Sequence, residues 1–483
     1  MRSYEELTGA EGRRMFYRAE RYDPKKLFPG GTPFVDLDGE QTILKNLSMT
    51  GLAVQSAAIE RWDGAVGAEV PIRVCAGKEA LYVGAGRIRR IENTGVRATV
   101  ALEFSSGFLD IGGAKSHHAA IAMNAALSDP TFATSQGILS DYQELSAQIL
   151  HLFRSYQGQL TNFEKELDVV GDRREQLLLE ALIECEDRMV PQWKELWYSG
   201  NDIIWSHMED KDLVRAHKRY TELVLTPDFM PGPVMRRCYE KPLGYPGDYQ
   251  IMNYVYQWQR VGKTPYEKLL HRIGIETGAC VGTRLRMTRE LIADYVEKAP
   301  GDKPMHISNL GCGSAYELYE YLQTDHLPRP VNFTLIDQDH RALSCAYEQA
   351  YPEIVRHKGA ARIQCLEASF AQLLKAGQLF KKMPPQDMIY SLGLYDYLPA
   401  RRAAALTRDL YEQVKPGGQL ILANVKVGRE TCMWPLEFIT DWSLVYRTED
   451  DMKALVEGLD IAGLEIIEDP TKCVYVMIAD KPA

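Results

Sequence analysis

The amino-acid sequence predicts a multidomain α+β protein, with a small antiparallel β-barrel at the N-terminus, a helical connector, and a doubly wound α/β domain at the C-terminus. Three observations carry this. Apolar residues recur with period two between Thr32 and Phe104, at helical spacing between about 136 and 270, and in alternating helix and strand patterns from about residue 284 onward. At 483 residues and 45% apolar composition, the chain exceeds one ordinary core. The expected domains are 1–125, 136–270 and 271–483.

The barrel reading rests most on "VRATVALEF", where Val96, Ala98, Val100, Leu102 and Phe104 alternate with polar or small residues, and on the turn signals "PGG", "DGE" and "NTG" between short strands. The helical segment is read from Leu145, Ile149, Leu152, Phe153, Tyr156, Leu160 and Phe163, and from "REQLLLEALIECEDRMVPQWKELW". It predicts either a packed bundle or a helix that relays a signal between domains. In the last segment, helix "RLRMTRELIADYVEKA" leads into strand "MHISNLG". Strands "NFTLID", "ARIQCLEA", "QDMIYSLG" and "GQLILANV" follow, with a helix in three of the four intervals, which is the sequence form of a parallel sheet.

Composition narrows the function. No run of about 18 consecutive apolar residues occurs, and "MRSYEELTGAEG" is polar where a signal peptide needs a hydrophobic segment, so no transmembrane segment and a cytoplasmic location are expected. Nine cysteines are scattered without CxxC or Cys/His spacing, which predicts reduced thiols and no metal site. Residues 1–125 hold 16 Lys+Arg against 15 Asp+Glu, and the remainder 40 against 51. An acidic main body argues against nucleic acid as a partner, because phosphate contacts need a basic face. Any anionic ligand is expected to bind locally, and a homodimer is left open.

"ISNLGCGSAYE" ends a strand on Gly311 and Gly313, with Ala315 where a third glycine would often sit; such a turn lets backbone approach a ligand. Asp337 closes the next strand, twenty-four residues after Gly313, where a carboxylate can accept hydrogen bonds from ribose hydroxyls. The third strand ends at Glu367 and Ala368, where an adenine amino group would be read, and the fourth at "YSLGLYDYL", with "VKPGGQLILANV" beyond it as helix stop, turn and strand.

This set, in this order, resembles the class I S-adenosylmethionine-dependent methyltransferases, whose Rossmann-like fold it implies over about 200 residues. The resemblance implies a cofactor site at Asn309, Gly311, Cys312, Gly313, Asp337, Gln338, Glu367, Ala368, Ser391 and Leu392. Asn309 stands where that family often has an acidic residue. A nicotinamide-binding domain is the competitor, and would normally want GxGxxG.

Upstream, "YEKPLGYPGDYQIMNYVY" demands a rigid, aromatic-decorated turn before a helix, with Asp248 as N-cap. The combination also resembles bacterial 3-hydroxypalmitic acid methyl ester biosynthesis proteins, which implies a fatty-acyl carboxylate as acceptor and the turn as a lid over the cofactor. Tyr245, Asp248, Tyr249 and Tyr395 are then the candidate catalytic residues, with Tyr397 beside them. A carboxylic acid is already ionised near neutrality, so its methylation needs positioning and exclusion of water, not a base. An amine or alcohol acceptor would need one, and Asp248 or Asp396 would be the candidate. His306 and His340, beside the cofactor motifs, are read as incidental.

Near the start, "RRMFYRAERY" crowds arginines and aromatics. Arg14 and Arg18 form RxxxR, and "KNLSMTGL" adds Asn46, Ser48 and Gly51. Together these resemble the PilZ family of small barrels over residues 10–115, which implies cyclic di-GMP binding by Arg13, Arg14, Arg18, Asn46, Ser48 and Gly51, with Arg21 adding charge. Two arginines four apart can fork to phosphate or guanine, while short polar side chains in a turn allow close approach. The leading expectation is a cyclic di-GMP-responsive methyltransferase. The alternatives are a non-catalytic cyclic di-GMP receptor that uses the methyltransferase fold to bind a partner, and a methyltransferase acting on a protein or another metabolite.

Overall fold

The computed structural model describes residues 22–24, 33–58, 60–62, 64–76, 79–93, 98–128, 137–299, 303–368, 370–374 and 376–483. The chain divides into two compact units, Met1–Gln136 and Gly137–Ala483.

In the first unit, β1 (Phe34–Leu37), β2 (Glu40–Ser48), β3 (Gly51–Ser56), β4 (Glu69–Ala76), β5 (Glu79–Asn93) and β6 (Ala98–Phe104) close into an antiparallel barrel in the order β1-β2-β3-β6-β5-β4. Closure leaves no free edge. The alternating residues fill it: Val35, Leu37, Leu44, Val54, Val74 and Val100 are buried around Trp62. β6 departs from strict alternation, since Thr99 and Ala101 are covered as well as Ala98, Val100 and Leu102; Val96 lies outside the described residues. Gly51 opens β3 where a Cβ would stand 2.2 Å from the Leu102 carbonyl oxygen, so no side chain fits. Helix α1 (Ile111–Ser128) follows the barrel.

The second unit opens with helices α2 (Ser140–Glu166), α3 (Asp172–Trp205), α4 (Lys211–Val224), α5 (Pro233–Glu240), α6 (Tyr249–Gln257), α7 (Pro265–Thr277) and α8 (Ala279–Lys298). The structure does not set these apart as a connector over 136–270: one core runs from Tyr142 and Trp193 on the helices to Ile307, Tyr390 and Val476 on the sheet. The physical reason is visible at Trp434. Its indole packs where a Cβ on Gly200 would meet it at 2.5 Å, its Nε1 donates to Tyr142 Oη at 2.8 Å, and its backbone N–H donates to Asn201 Oδ1 at 2.9 Å.

The sheet consists of β7 (Met305–Leu310), β8 (Val331–Asp337), β9 (Ala361–Glu367), β10 (Gln386–Ser391), β11 (Val414–Val425), β12 (Gly463–Glu468) and β13 (Val474–Asp480), in the order β12-β13-β11-β10-β7-β8-β9. The five strands β9-β8-β7-β10-β11 are parallel, as the alternating pattern predicts, and β13 pairs antiparallel with both β11 and β12. This terminal pair is not foreseen in the sequence reading. "KPGG" does not form a separate turn but enters β11 as an irregular stretch, with a register shift against β10 and Gly417 at φ 73°. Helices α9 (Tyr316–Thr324), α10 (His340–Arg356) and α11 (Ala400–Gln413) complete the layers. The chain reverses direction across the sheet between β7 and β10, so their carboxyl ends flank the switch point where open α/β sheets bind ligands. No helix among the described residues is long and apolar enough to cross a membrane.

Candidate functional site

A cavity of about 390 Å³ lies at that switch point, within the size range of small-molecule sites. Its floor is the turn after β7. Gly311 and Gly313 have φ of 70° and 54°, and Ala315, where a third glycine would often sit, is left-handed too at 45°, a conformation that strains a residue with a Cβ. Leu394 closes on Gly311, whose missing Cβ would stand 3.2 Å from it, while nothing lies within 4 Å of Gly313 on that side. The turn is pinned from below by bonds from the Gly311 and Cys312 N–H groups to the Ile336 carbonyl, at 2.8 and 3.1 Å.

Asp337 closes β8 beside it. Its Oδ2 accepts from Gly313 N at 2.8 Å and its Oδ1 from Asp339 N at 2.9 Å. Burial raises its pKa above the usual carboxylate range in spite of these backbone donors. Asn309, Gly311, Cys312, Gly313, Asp337, Gln338 and Leu392 all line the cavity. Three other cofactor candidates lie elsewhere. Glu367 stands exposed at the end of β9, the Ala368 side chain is buried in a separate core, and Ser391 Oγ donates to the Leu310 carbonyl at 2.7 Å, bracing β10 on β7.

The turn before α6 forms the cavity's outer wall through Tyr245, Pro246, Gly247 and Tyr249. Asp248 keeps the capping role: it is fully buried, accepts from Gln250 N and Ile251 N, and pairs with Arg237 Nε at 2.9 Å. Tyr395 also turns away from the cavity. It sits in a separate core and shares a hydrogen bond with Thr407 Oγ1 at 3.0 Å, whereas its neighbours Asp396 and Tyr397 line the wall. His306 and His340 do not line it.

Two charged residues on the wall went unremarked in the sequence. Glu317, 2% exposed on α9, accepts at Oε1 from Asn309 Nδ2 (2.8 Å) and Tyr390 Oη (2.9 Å). Burial pushes its carboxyl up to about 7, against the pull of its own backbone N–H and of these two donors. Asn309 Oδ1, meanwhile, has no hydrogen-bond partner although it is buried. Arg284 on α8 is 7% exposed and donates from Nη1 to Asp396 Oδ2 at 3.0 Å. Both had a readable signal. Glu317 shares the inward face of α9 with Leu318, Tyr321 and Leu322, and Arg284 belongs to the four-spaced buried series Cys280, Arg284, Thr288, Ile292, Val296.

In the first unit, the structure brings Asn46, Ser48 and Gly51 together at the β2–β3 hairpin, where Ser48 Oγ donates to the Gly51 carbonyl at 3.1 Å. Arg13, Arg14, Arg18 and Arg21 lie outside the described residues. Tyr22, the last residue of "RRMFYRAERY", exchanges backbone hydrogen bonds of 2.7 and 3.2 Å with Leu47, between Asn46 and Ser48.

No protein-family profile matches the chain, and no curated protein matches it. Among solved structures it is similar in part to a "possible exported protein" from Bordetella parapertussis, at 17% identity and TM-score 0.39, over 70% of this chain and 97% of that one. It is also similar to an O-methyltransferase family protein from Burkholderia thailandensis, at 15% and 0.31, over 44% of this chain and 60% of that one. A third is magnesium protoporphyrin IX methyltransferase from Synechocystis PCC 6803 with bound SAH, at 15% and 0.32, over 48% and 98%. At such identities and TM-scores, function has to be argued from the site.

Proposed function

We propose that the chain is an S-adenosylmethionine-dependent methyltransferase for the carboxylate of a small, fatty-acid-like molecule, responsive to cyclic di-GMP through its N-terminal barrel. The observation that carries the first part is the pair Asn309–Glu317 beside the Gly311–Gly313 turn. A buried carbonyl oxygen without a donor, next to a buried carboxylate, suits an ammonium group such as the methionine end of that cofactor. Asp337 stands where ribose hydroxyls would meet a carboxylate, and the bare turn would admit the sulfonium. The bound cofactor would supply an electrophilic methyl to the ionised acceptor oxygen, with its sulfur leaving as a neutral thioether and no proton to be removed.

The chain's own residues would then hold, orient and dry the reactants. Tyr245, Pro246, Gly247 and Trp442 wall off the side away from the sheet, and Val234, Met235, Ile251 and Val255 offer apolar surface for a hydrocarbon. For the second part, the support is the backbone pairing of Tyr22 with Leu47. It ties Tyr22, the residue that follows Arg21 in the sequence, to the strand bearing Asn46 and Ser48.

Isothermal titration of the full chain tests both. S-adenosylmethionine should bind, and Asp337→Ala should weaken it by about 1–3 kcal/mol, the range for a lost buried hydrogen bond; unaltered affinity would mean the ribose is misplaced. Arg14→Ala with Arg18→Ala should abolish cyclic di-GMP binding and spare the cofactor. Methyl transfer unchanged under saturating dinucleotide would end the regulatory reading.

A further inference from the structure

We propose that the open edge of the Arg284 guanidinium is the anchor for the acceptor's carboxylate, so that this cavity selects an ionised acid with an apolar tail and discriminates against its neutral ester. The inference rests on the methyl-transfer reading and names the part of the cavity that reads the acceptor.

A guanidinium taken out of water is costly unless its donors are answered. Arg284 is answered on one side only: Nη1 donates to Asp396, while Nε and Nη2 donate to no described residue. These two nitrogens form an edge that matches a carboxylate with two parallel hydrogen bonds. Space for it is kept open by Gly393, also on the wall, where a Cβ would stand 3.2 Å from Nη2.

The charges agree. Asp396 is already committed, its Oδ1 accepting from Val425 N at 2.8 Å. A second guanidinium, that of Arg447, is 2% exposed, donates to the Tyr395 carbonyl at 2.9 Å, and lies near enough to feel the Asp396 charge. Arg447 is also answered by Asn424 Oδ1, the Leu398 carbonyl and the charge of Asp451, so the guanidinium with an edge left for a further carboxylate is that of Arg284. The other acidic groups of the cavity, Asp337 and Glu317, are engaged with Gly313, Asp339, Asn309 and Tyr390. Val255, Val281, Leu436 and Leu444 line the same cavity with apolar surface. An ester has lost the charge that Arg284 would hold, so the same contact that selects the acid would release the methylated product.

The test is binding, read by isothermal titration or by the fluorescence of the full chain, whose Trp442 lines the cavity. The ligands are decanoate, methyl decanoate and decanol. The wild-type chain should bind decanoate at least tenfold tighter than the ester or the alcohol. Arg284→Met should erase that preference while leaving ester affinity within about twofold, and Arg284→Lys should restore part of it. Because Arg284→Met strands Asp396, Gly393→Ala gives a second measurement. It leaves the Arg284–Asp396 pair in place and should weaken decanoate severalfold without affecting the ester. Equal affinity for acid and ester in the wild type, or a preference that survives both Arg284→Met and Gly393→Ala, overturns the anchor. S-adenosylmethionine titrated into the same samples separates the two readings. If the cofactor binds but acid is not preferred, the anchor alone fails; if acid is preferred but the cofactor does not bind, methyl transfer fails.

Discussion

Tyr245 Oη donates to Asp339 Oδ2 across 2.9 Å, fastening the turn before α6 to the residue that caps α10 just beyond β8. The carboxylate is held from the other side by Arg341, through Nε at 2.9 Å and Nη2 at 3.0 Å. Asp339 therefore stays in place when the tyrosine lets go, and the bond acts as a latch on the cavity's outer wall. Tyr245→Phe keeps the ring and removes the latch. The expected loss is about 1 kcal/mol, typical of one hydrogen bond whose acceptor keeps other donors. It should appear as a roughly fivefold faster dissociation of S-adenosylmethionine in stopped-flow. An unchanged off-rate would mean that the turn does not open when the cofactor leaves.

Gly247, two residues on, explains why the turn carries glycine there. Its φ is 69°, and a Cβ would come within 2.5 Å of Trp442 Cζ2 and 2.6 Å of Tyr397 Oη. Gly244 has φ 84° but nothing within 4 Å. Gly244→Ala should therefore cost only the left-handed backbone term, about 1–2 kcal/mol. Gly247→Ala should cost that and a further 1–3 kcal/mol of overpacking, roughly. Urea unfolding of the two variants side by side measures the difference. Equal losses would show that Trp442 and Tyr397 yield without resistance.

Burial patterns and local backbone demands are written in the sequence; the tertiary partner of a side chain is not. The β-strands around Val100 and Leu102, and the β/α alternation after residue 284, emerge in the fold, although β6 is covered on both faces where period two predicts one. The Gly311–Gly313 turn and Asp337 were legible because glycine at positive φ and a carboxylate at a strand end are local demands. Asp248 was legible as a helix cap, but that it and Tyr395 turn away from the cavity was not, since their direction is set by tertiary partners. Within "YDY" the short 3₁₀ turn sends Tyr395 towards Thr407 and Tyr397 towards Trp442. Asp248 is drawn to Arg237, eleven residues back. The separation of a helical connector failed for a similar reason. Helical spacing says that a face is buried but not against what, and here part of the answer is Trp434, more than two hundred residues away.

Glu317 gives the site a pH dependence with a definite sign. With its carboxyl near 7, it is protonated in much of the free protein at pH 6, and an ammonium ligand must expel that proton on binding. Cofactor affinity should fall as pH drops from about 7.5 to 5.5, approaching tenfold per unit at the lower end. Glu317→Gln should flatten this profile and lower affinity at pH 7.5 severalfold, because Asn309 Nδ2 and Tyr390 Oη still find an oxygen but the charge is gone. Titration calorimetry across the range decides it. A profile as steep in the variant as in the wild type would assign the proton elsewhere.

His271 on α7 sets a limit on acid stability that has nothing to do with the cavity. It is fully buried, neither ring nitrogen has a partner, and its ring meets Tyr254 edge-on at 4.9 Å. Burial alone holds its pKa down to about 4. In the unfolded chain the imidazole titrates near 6.5. Between these values the unfolded state takes up a proton that the folded state refuses. Stability is therefore complete above about 6.5 and drains away as pH falls towards 4, by about 2 kcal/mol at pH 5 and about 3 kcal/mol in full. His271→Leu removes both the proton and two desolvated nitrogens. It should be neutral or stabilising at pH 7, as replacing unpartnered buried polar atoms with hydrocarbon usually is. At pH 5 it should be more stable than the wild type by about 2 kcal/mol beyond any difference at pH 7. Urea unfolding of both proteins at the two pH values isolates this, because the carboxylates that also titrate in the range are common to both. Parallel losses would mean that the folded protein finds the His271 ring a partner when it is protonated.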